Sequence, residues 1–285
     1  MSFETVLILG PAYLSLVLQF EESALKKLFV SSLFAIASVA SLPAAADVIT
    51  FAGSAEVNRA DFSASATFEI DGDSLMITLR NTSPSTSLPD IPARTLSGLF
   101  WELINDAGIT LTPVSAMLAP GSTIVGACNM LDCAGETNVG GEFGYRAEQL
   151  QGGGDRFISS ASYQIPGFRG NFNGDNLHSG NGLGGTGLGG IDFGIVSPAD
   201  GYSPNGSLNA VPVIMGGVRF TFSGASGLGV EDIRNVSFQP GTVIFEGNYV
   251  PASVVPEPAS VALFGLGLAG LAAARRNRRR ASMAT

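Results

Sequence analysis

The chain of 285 residues carries 24 acidic side chains against 15 lysines and arginines, with 37 glycines. The acid surplus is concentrated in residues 47–255, where 20 Asp and Glu face 8 Arg and no Lys, a net of −12. Such a body repels phosphate backbones, which argues against nucleic acid as a partner, and its glycine usage argues against a helical domain.

The N-terminal region divides in two. Lys26-Lys27 open a secretory-signal pattern, followed by an apolar run from Leu28 to Val39, then Pro43 and the A-x-A cleavage site of Ala44 and Ala46. The run is too short for a comfortable membrane span. A signal helix over 25–46 is therefore expected, leaving Asp47 as the mature N-terminus. Residues 1–24 do not belong to the pattern. Either they are a non-native extension and translation begins at Leu25, or they form an unusually long leading region.

Asp47 to Val250 reads as one all-β exported domain. Phe62, Ala64, Ala66, Phe68 and Ile70 alternate with Ser63, Ser65, Thr67 and Glu69, the period of a half-buried strand. Asp71-Gly72 follows as a type I′ turn candidate. Leu75, Ile77 and Leu79 then alternate with Met76, Thr78 and Arg80. A two-residue turn at Asp71-Gly72 would pair Ile70 with Asp73, Phe68 with Leu75, Ala66 with Ile77 and Ala64 with Leu79, placing apolar side chains on one face. After a turn-rich connection from Asn81 to Pro92, further strands are expected at Leu96–Ile104, with Leu99, Trp101 and Leu103 on one face, and at Ile109–Val114. Later candidates are Phe157–Ile165, Ile191–Val196, Val213–Phe222, Ile233–Phe238 and Val243–Val250. Short strands separated by Gly, Pro and Asn clusters suggest an antiparallel sandwich or jelly roll.

Cys128 and Cys133 bracket a short loop. With one histidine in the chain, zinc lacks ligands; a disulfide in an oxidising compartment is the stronger reading, two free loop thiols the alternative. Gly167 to Gly190 contains ten glycines and reads as a long surface loop. Within it, Asn171, Asn173 and Asp175 present oxygens suited to Ca²⁺, with ordinary Asx-Gly turns as the alternative. Gly182 to Gly187 fits G-x-G-x-x-G, but no βαβ unit surrounds it. His178 stands in the same loop without a G-x-S-x-G elbow elsewhere, which disfavours a serine triad. No catalytic residue is assigned, and no cofactor beyond possible calcium is expected.

The C-terminus carries the most specific pattern. A linker over 251–258 contains Val255-Pro256-Glu257-Pro258. Sixteen residues from Ala259 to Ala274 are apolar or small, and Arg275, Arg276, Arg278, Arg279 and Arg280 follow in the tail, 275–285. The prolines oppose helix continuation. The apolar run is slightly short for a ~30 Å hydrocarbon core, a mismatch that local thinning absorbs. Gly265, Gly267 and Gly270 offer a small-residue helix face, and the arginines act as a stop-transfer signal that stays cytoplasmic.

This tripartite tail resembles the PEP-CTERM sorting signals of exosortase-dependent surface proteins. Softer likenesses to that group lie in Ala66–Ser83, Leu96–Leu103 and Gly189–Ser197. The resemblance implies export through the secretory translocon and signal peptidase, transient inner-membrane anchoring, and processing by an exosortase-type protease or transpeptidase, with Pro256, Glu257 and Pro258 as the recognition element. It also implies a cell-surface or extracellular destination and an association with exopolysaccharide or biofilm. A non-enzymatic surface or matrix protein is the leading expectation. A carbohydrate- or calcium-binding sandwich would show aromatic residues together on a sheet face; a secreted hydrolase would show a buried carboxylate pair in a cleft.

Overall fold

The computed structural model describes residues 46–85, 92–126, 133, 135–148, 154–160, 171–177, 192–200, 211–241, 249–256, 267, 268 and 270. Among these the structure is all-β apart from short 3-10 turns and the helical residues Gly267, Leu268 and Gly270. In chain order the strands are β1 (Asp47–Val57), β2 (Ala60–Asp71), β3 (Ser74–Asn81), β4 (Leu96–Leu103), β5 (Thr112–Leu118), β6 (Thr123–Val125) and β7 (Gly144–Arg146). There follow β8 (Arg156–Ser159), β9 (Ile195–Val196), β10 (Val213–Met215), β11 (Gly217–Ser223), β12 (Ile233–Pro240), β13 (Val250–Pro251) and β14 (Ser253–Val254).

One sheet runs β14-β1-β2-β3-β11-β5 and is antiparallel throughout. The other runs β13-β12-β4-β9-β10-β6, with β8 also on β4 and β7 on β8. The expected wholly antiparallel arrangement is corrected here: β9 and β10 pair in parallel. The sheets share one core, because their inward residues meet directly. Phe68 of β2 lies 6.1 Å from Trp101 of β4, and Trp101 lies 6.3 Å from Phe222 of β11, ring centre to ring centre. Trp101 also stacks on Tyr145 at 5.9 Å. Burial pushes the Tyr145 phenol up to about 12. Strand β4 is covered on its other face too, where Phe100 stacks on Phe157 and meets Tyr249 edge-on.

The β2–β3 hairpin corrects the expected register. The turn is Gly72-Asp73, one residue later than the Asp71-Gly72 pairing required, so Asp71 faces Ser74, Ile70 faces Leu75, Phe68 faces Ile77 and Ala66 faces Leu79. Each partner moves by two residues, so every inward side chain stays inward. Gly72 alone takes positive φ, +60°, which suits a turn with glycine at its first central position. Asp73 is thereby freed for another task. Its carboxylate accepts from the Ser226 hydroxyl at 2.6 Å and from the Gly224 and Ser226 amides, tying the hairpin to the loop after β11.

Those bonds, the Ser226 hydroxyl foremost, hold the Asp73 carboxyl below its ordinary 3.8. A depressed folded-state value contributes stability that is complete above the unfolded-state pKa and lost as pH falls through the folded one. Asp73→Asn should therefore melt below wild type at neutral pH, and the two curves should converge as pH falls below the lowered Asp73 value. A melting series across pH reads this directly; a constant gap down to the lowest pH would assign the effect to something other than the carboxylate's charge.

Other expected strands shift for local reasons. The Val213–Phe222 stretch is two strands in different sheets, parted at Gly216 with φ +114°. The strand expected at Ile109–Val114 starts instead at Thr112 and runs to Leu118, because Gly108 has φ +90° and the Ile109 amide closes a turn onto Asp106. Ile191 lies outside the described residues, and from Asp192 to Val196 only Ile195 and Val196 are strand; the Phe193 amide, with φ +54°, donates to the Pro212 carbonyl. The strand expected from Phe157 starts at Arg156 and ends at Ser159. Residues 161–165 and most of Val243–Val250 lie outside the described residues. Strand β1 has no counterpart in the sequence expectations. It joins β2 through Asn58 and Arg59, both at positive φ, the geometry of a I′ turn formed without glycine.

Candidate sorting site at a sheet edge

The chain from Val250 to Pro256 changes sheets. Val250 and Pro251 pair with Phe238 and Ser237 of β12, and the Ala252 amide donates to the Val236 carbonyl at 2.9 Å. Ser253 and Val254 then pair with Ala52 and Phe51 of β1, and the Val255 amide donates to the Thr50 carbonyl at 2.8 Å. The crossing needs Gly53, where a Cβ would stand 2.6 Å from the Pro251 carbonyl oxygen.

The pairing with β1 is antiparallel, so the chain leaves this edge towards the Asp47 end of β1. Ala46 and Pro256 accordingly lie at the same end of the edge. Ser253 to Pro256 are exposed, with Val254 at 53% and Val255 at 41%, and Val48 on β1 is exposed beside them. Three neighbouring apolar side chains thus stand in solvent where the body gives way to the C-terminal segment.

Residues 254–279 match the PEP-CTERM protein-sorting motif. The sorting motif therefore begins inside β14, on the folded body, not in the linker after it. It implies processing by an exosortase, a membrane enzyme, and an exported protein that is anchored and then sorted to the surface. No curated protein and no solved structure gives a match.

Of the sorting residues, Val255 and Pro256 are placed by the structure, while Glu257, Pro258 and Arg275, Arg276, Arg278, Arg279 and Arg280 lie outside the described residues. No helix among the described residues is long and apolar enough to cross a membrane, and most of 259–274 falls outside them. Residues 1–45, with Ala44, are also outside. Cys133 is buried and disulfide-bonded; Cys128, the other cysteine of the chain, is outside.

The calcium candidates are put to other uses where their bonds are defined. The Asn171 side chain accepts from the Tyr145 amide and donates to the Tyr145 carbonyl, mimicking a strand partner at the middle residue of β7. Asn173 bridges Ser115 of β5 through its backbone, and Asp175 is exposed. Asn171 thus faces β7 rather than a common point with the other two. No group of three His, Cys, Asp or Glu among the described residues could hold a metal. His178 and Gly182 to Gly187 lie outside the described residues.

Three carboxylates among the described residues are likewise engaged. Glu142 accepts from the Leu177 amide, Asp200 pairs with Arg94, and Asp232 accepts from Asn105 and the Gly229 amide. The large apolar side chains exposed among the described residues are Val48, Ile104, Met117, Val254, Val255 and Leu268, none of them aromatic.

Sequence patterning missed Ser253, Val254 and their hosts Thr50 to Ala52. The host strand buries only Phe51 and Val57, so it lacks the alternation that marks a strand with one face in the core. The Asn58-Arg59 turn was the available signal.

Proposed function

We propose that this is a non-enzymatic surface or matrix protein, exported by a signal peptide over 25–46, with residues 1–24 a non-native extension. It is held at the inner membrane by a helix over 259–274 with 275–285 in the cytoplasm, and released from that anchor by an exosortase acting near Pro256-Glu257-Pro258. The sheets form a sandwich, 47–250, that is the delivered cargo, and the disulfide of Cys128 with Cys133 suits the compartment it reaches. An association with exopolysaccharide in a biofilm or envelope follows from the same reading. The observation that carries the proposal is the sorting motif at 254–279. Its start on an exposed edge, at the end of the sheet where Asp47 also lies, supports it.

The test is mass spectrometry of the mature protein from cells with and without the exosortase. The expected result is loss of the tail only when the enzyme is present, and an N-terminus at Asp47. A full-length chain in the cytosol with both ends intact would overturn it.

A further inference from the structure

Resting on that processing reading, we infer that the enzyme docks on the free edge of β14, adding main-chain hydrogen bonds to Val254 while β14 stays on β1. The prolines at 256 and 258 have no N–H to give. The Val255 N–H is already bonded to the Thr50 carbonyl. In an antiparallel ladder successive residues point their backbone groups to opposite sides, so the Val254 N–H and C=O face away from β1. Among the described residues, strand β14 pairs with β1 and with no other strand. Val254 is therefore the main-chain donor nearest upstream of Pro256 that is turned outward, on a residue 53% exposed.

The fold presents this strand already extended. An incoming chain that adds to such an edge gains backbone bonds without having to order the peptide first, the usual mode of strand-addition recognition. The exposed Val254 and Val255 side chains supply apolar contact on either side of it. A second copy of the chain is a poorer occupant. Bodies of net −12 repel one another. The sorting motif starts on this strand, which selects the processing enzyme.

Three variants followed by tail removal in exosortase-containing cells test the docking. Val254→Pro deletes the outward N–H and leaves the bonds to β1; it should slow processing about tenfold, the effect of losing one main-chain bond. Val254→Ala keeps the N–H and should be processed like wild type. Ala52→Cys with Ser253→Cys, an opposed pair in the ladder at a spacing a disulfide can span, pins β14 to β1 and should also be processed like wild type. Should Val254→Pro weaken the fold, adding it to the pinned pair restores β14, and the slowing must persist there. Normal processing of Val254→Pro overturns the inference. So does a pinned protein that keeps its tail until reduced, since the strand must then be pulled off β1. Retention of the tail by wild type with the enzyme present is a different result: it defeats the processing reading itself, and the docking with it.

Discussion

Replacing Trp101 with alanine should cost the body about 3–5 kcal/mol of stability and lower its melting midpoint by roughly 10 °C. Trp101 is the only tryptophan in the chain and is fully buried. It stands where the sheets meet, touching Phe68 of β2, Phe222 of β11 and Tyr145 of β7. Its removal opens a cavity that the three neighbouring strands cannot collapse without losing register. The indole N–H is buried with no acceptor among the described residues, so this side chain is held for its volume and not for its polarity. Trp101→Phe should accordingly cost less than half as much as Trp101→Ala, since both remove the buried N–H but phenylalanine keeps a ring in the space and leaves a much smaller cavity. Urea unfolding followed by far-ultraviolet circular dichroism measures both. A Trp101→Ala loss under about 1 kcal/mol would mean that the sheets do not depend on this contact for their packing.

The second large effect concerns charge. Asp200→Ala should cost about 3–5 kcal/mol by leaving the Arg94 guanidinium buried without its counter-ion. The pair is 3.3 Å apart, with side chains only 1% and 4% exposed. Arg94 also donates to the Pro84 carbonyl, while its Nε has no partner among the described residues. Around it the Asn81 side chain donates to the Arg94 and Ile195 carbonyls and accepts from the Ser83 amide, and Ser197 donates to the Ser83 carbonyl. This polar knot fastens the segment before β4 to β9 and to the turn at Pro198–Asp200. Replacing both charges, Arg94→Met with Asp200→Leu, should recover most of the loss, because a well-packed apolar pair can substitute for a buried ion pair. A double-mutant cycle by chemical denaturation separates the outcomes. If the double variant is as unstable as Asp200→Ala alone, the knot matters through Arg94's bond to Pro84 and not through the ion pair.

Two kinds of information were readable from residues in isolation. The inward faces of β2 and β3 were legible because alternation of Phe68 and Ile70 with Thr67 and Glu69 records which side chains leave water, and a two-residue register shift does not change that record. The sorting motif was legible because its signals are local: prolines, an apolar run, then arginines. What tertiary structure alone decided is who pairs with whom. Asp73 chose Ser226 across 153 residues, and that choice accompanies the shifted turn. Arg94 found Asp200 across 106 residues. Gly216 sends one apolar run into both sheets, and residues 253–255 settle on the N-terminal strand β1. Hydrophobic periodicity reports a residue's partition between core and solvent, whereas strand partnership is fixed by contacts between distant segments whose free energy has no signature in either segment alone. The placement of the sorting motif's first residues on a sheet edge belongs to that second class.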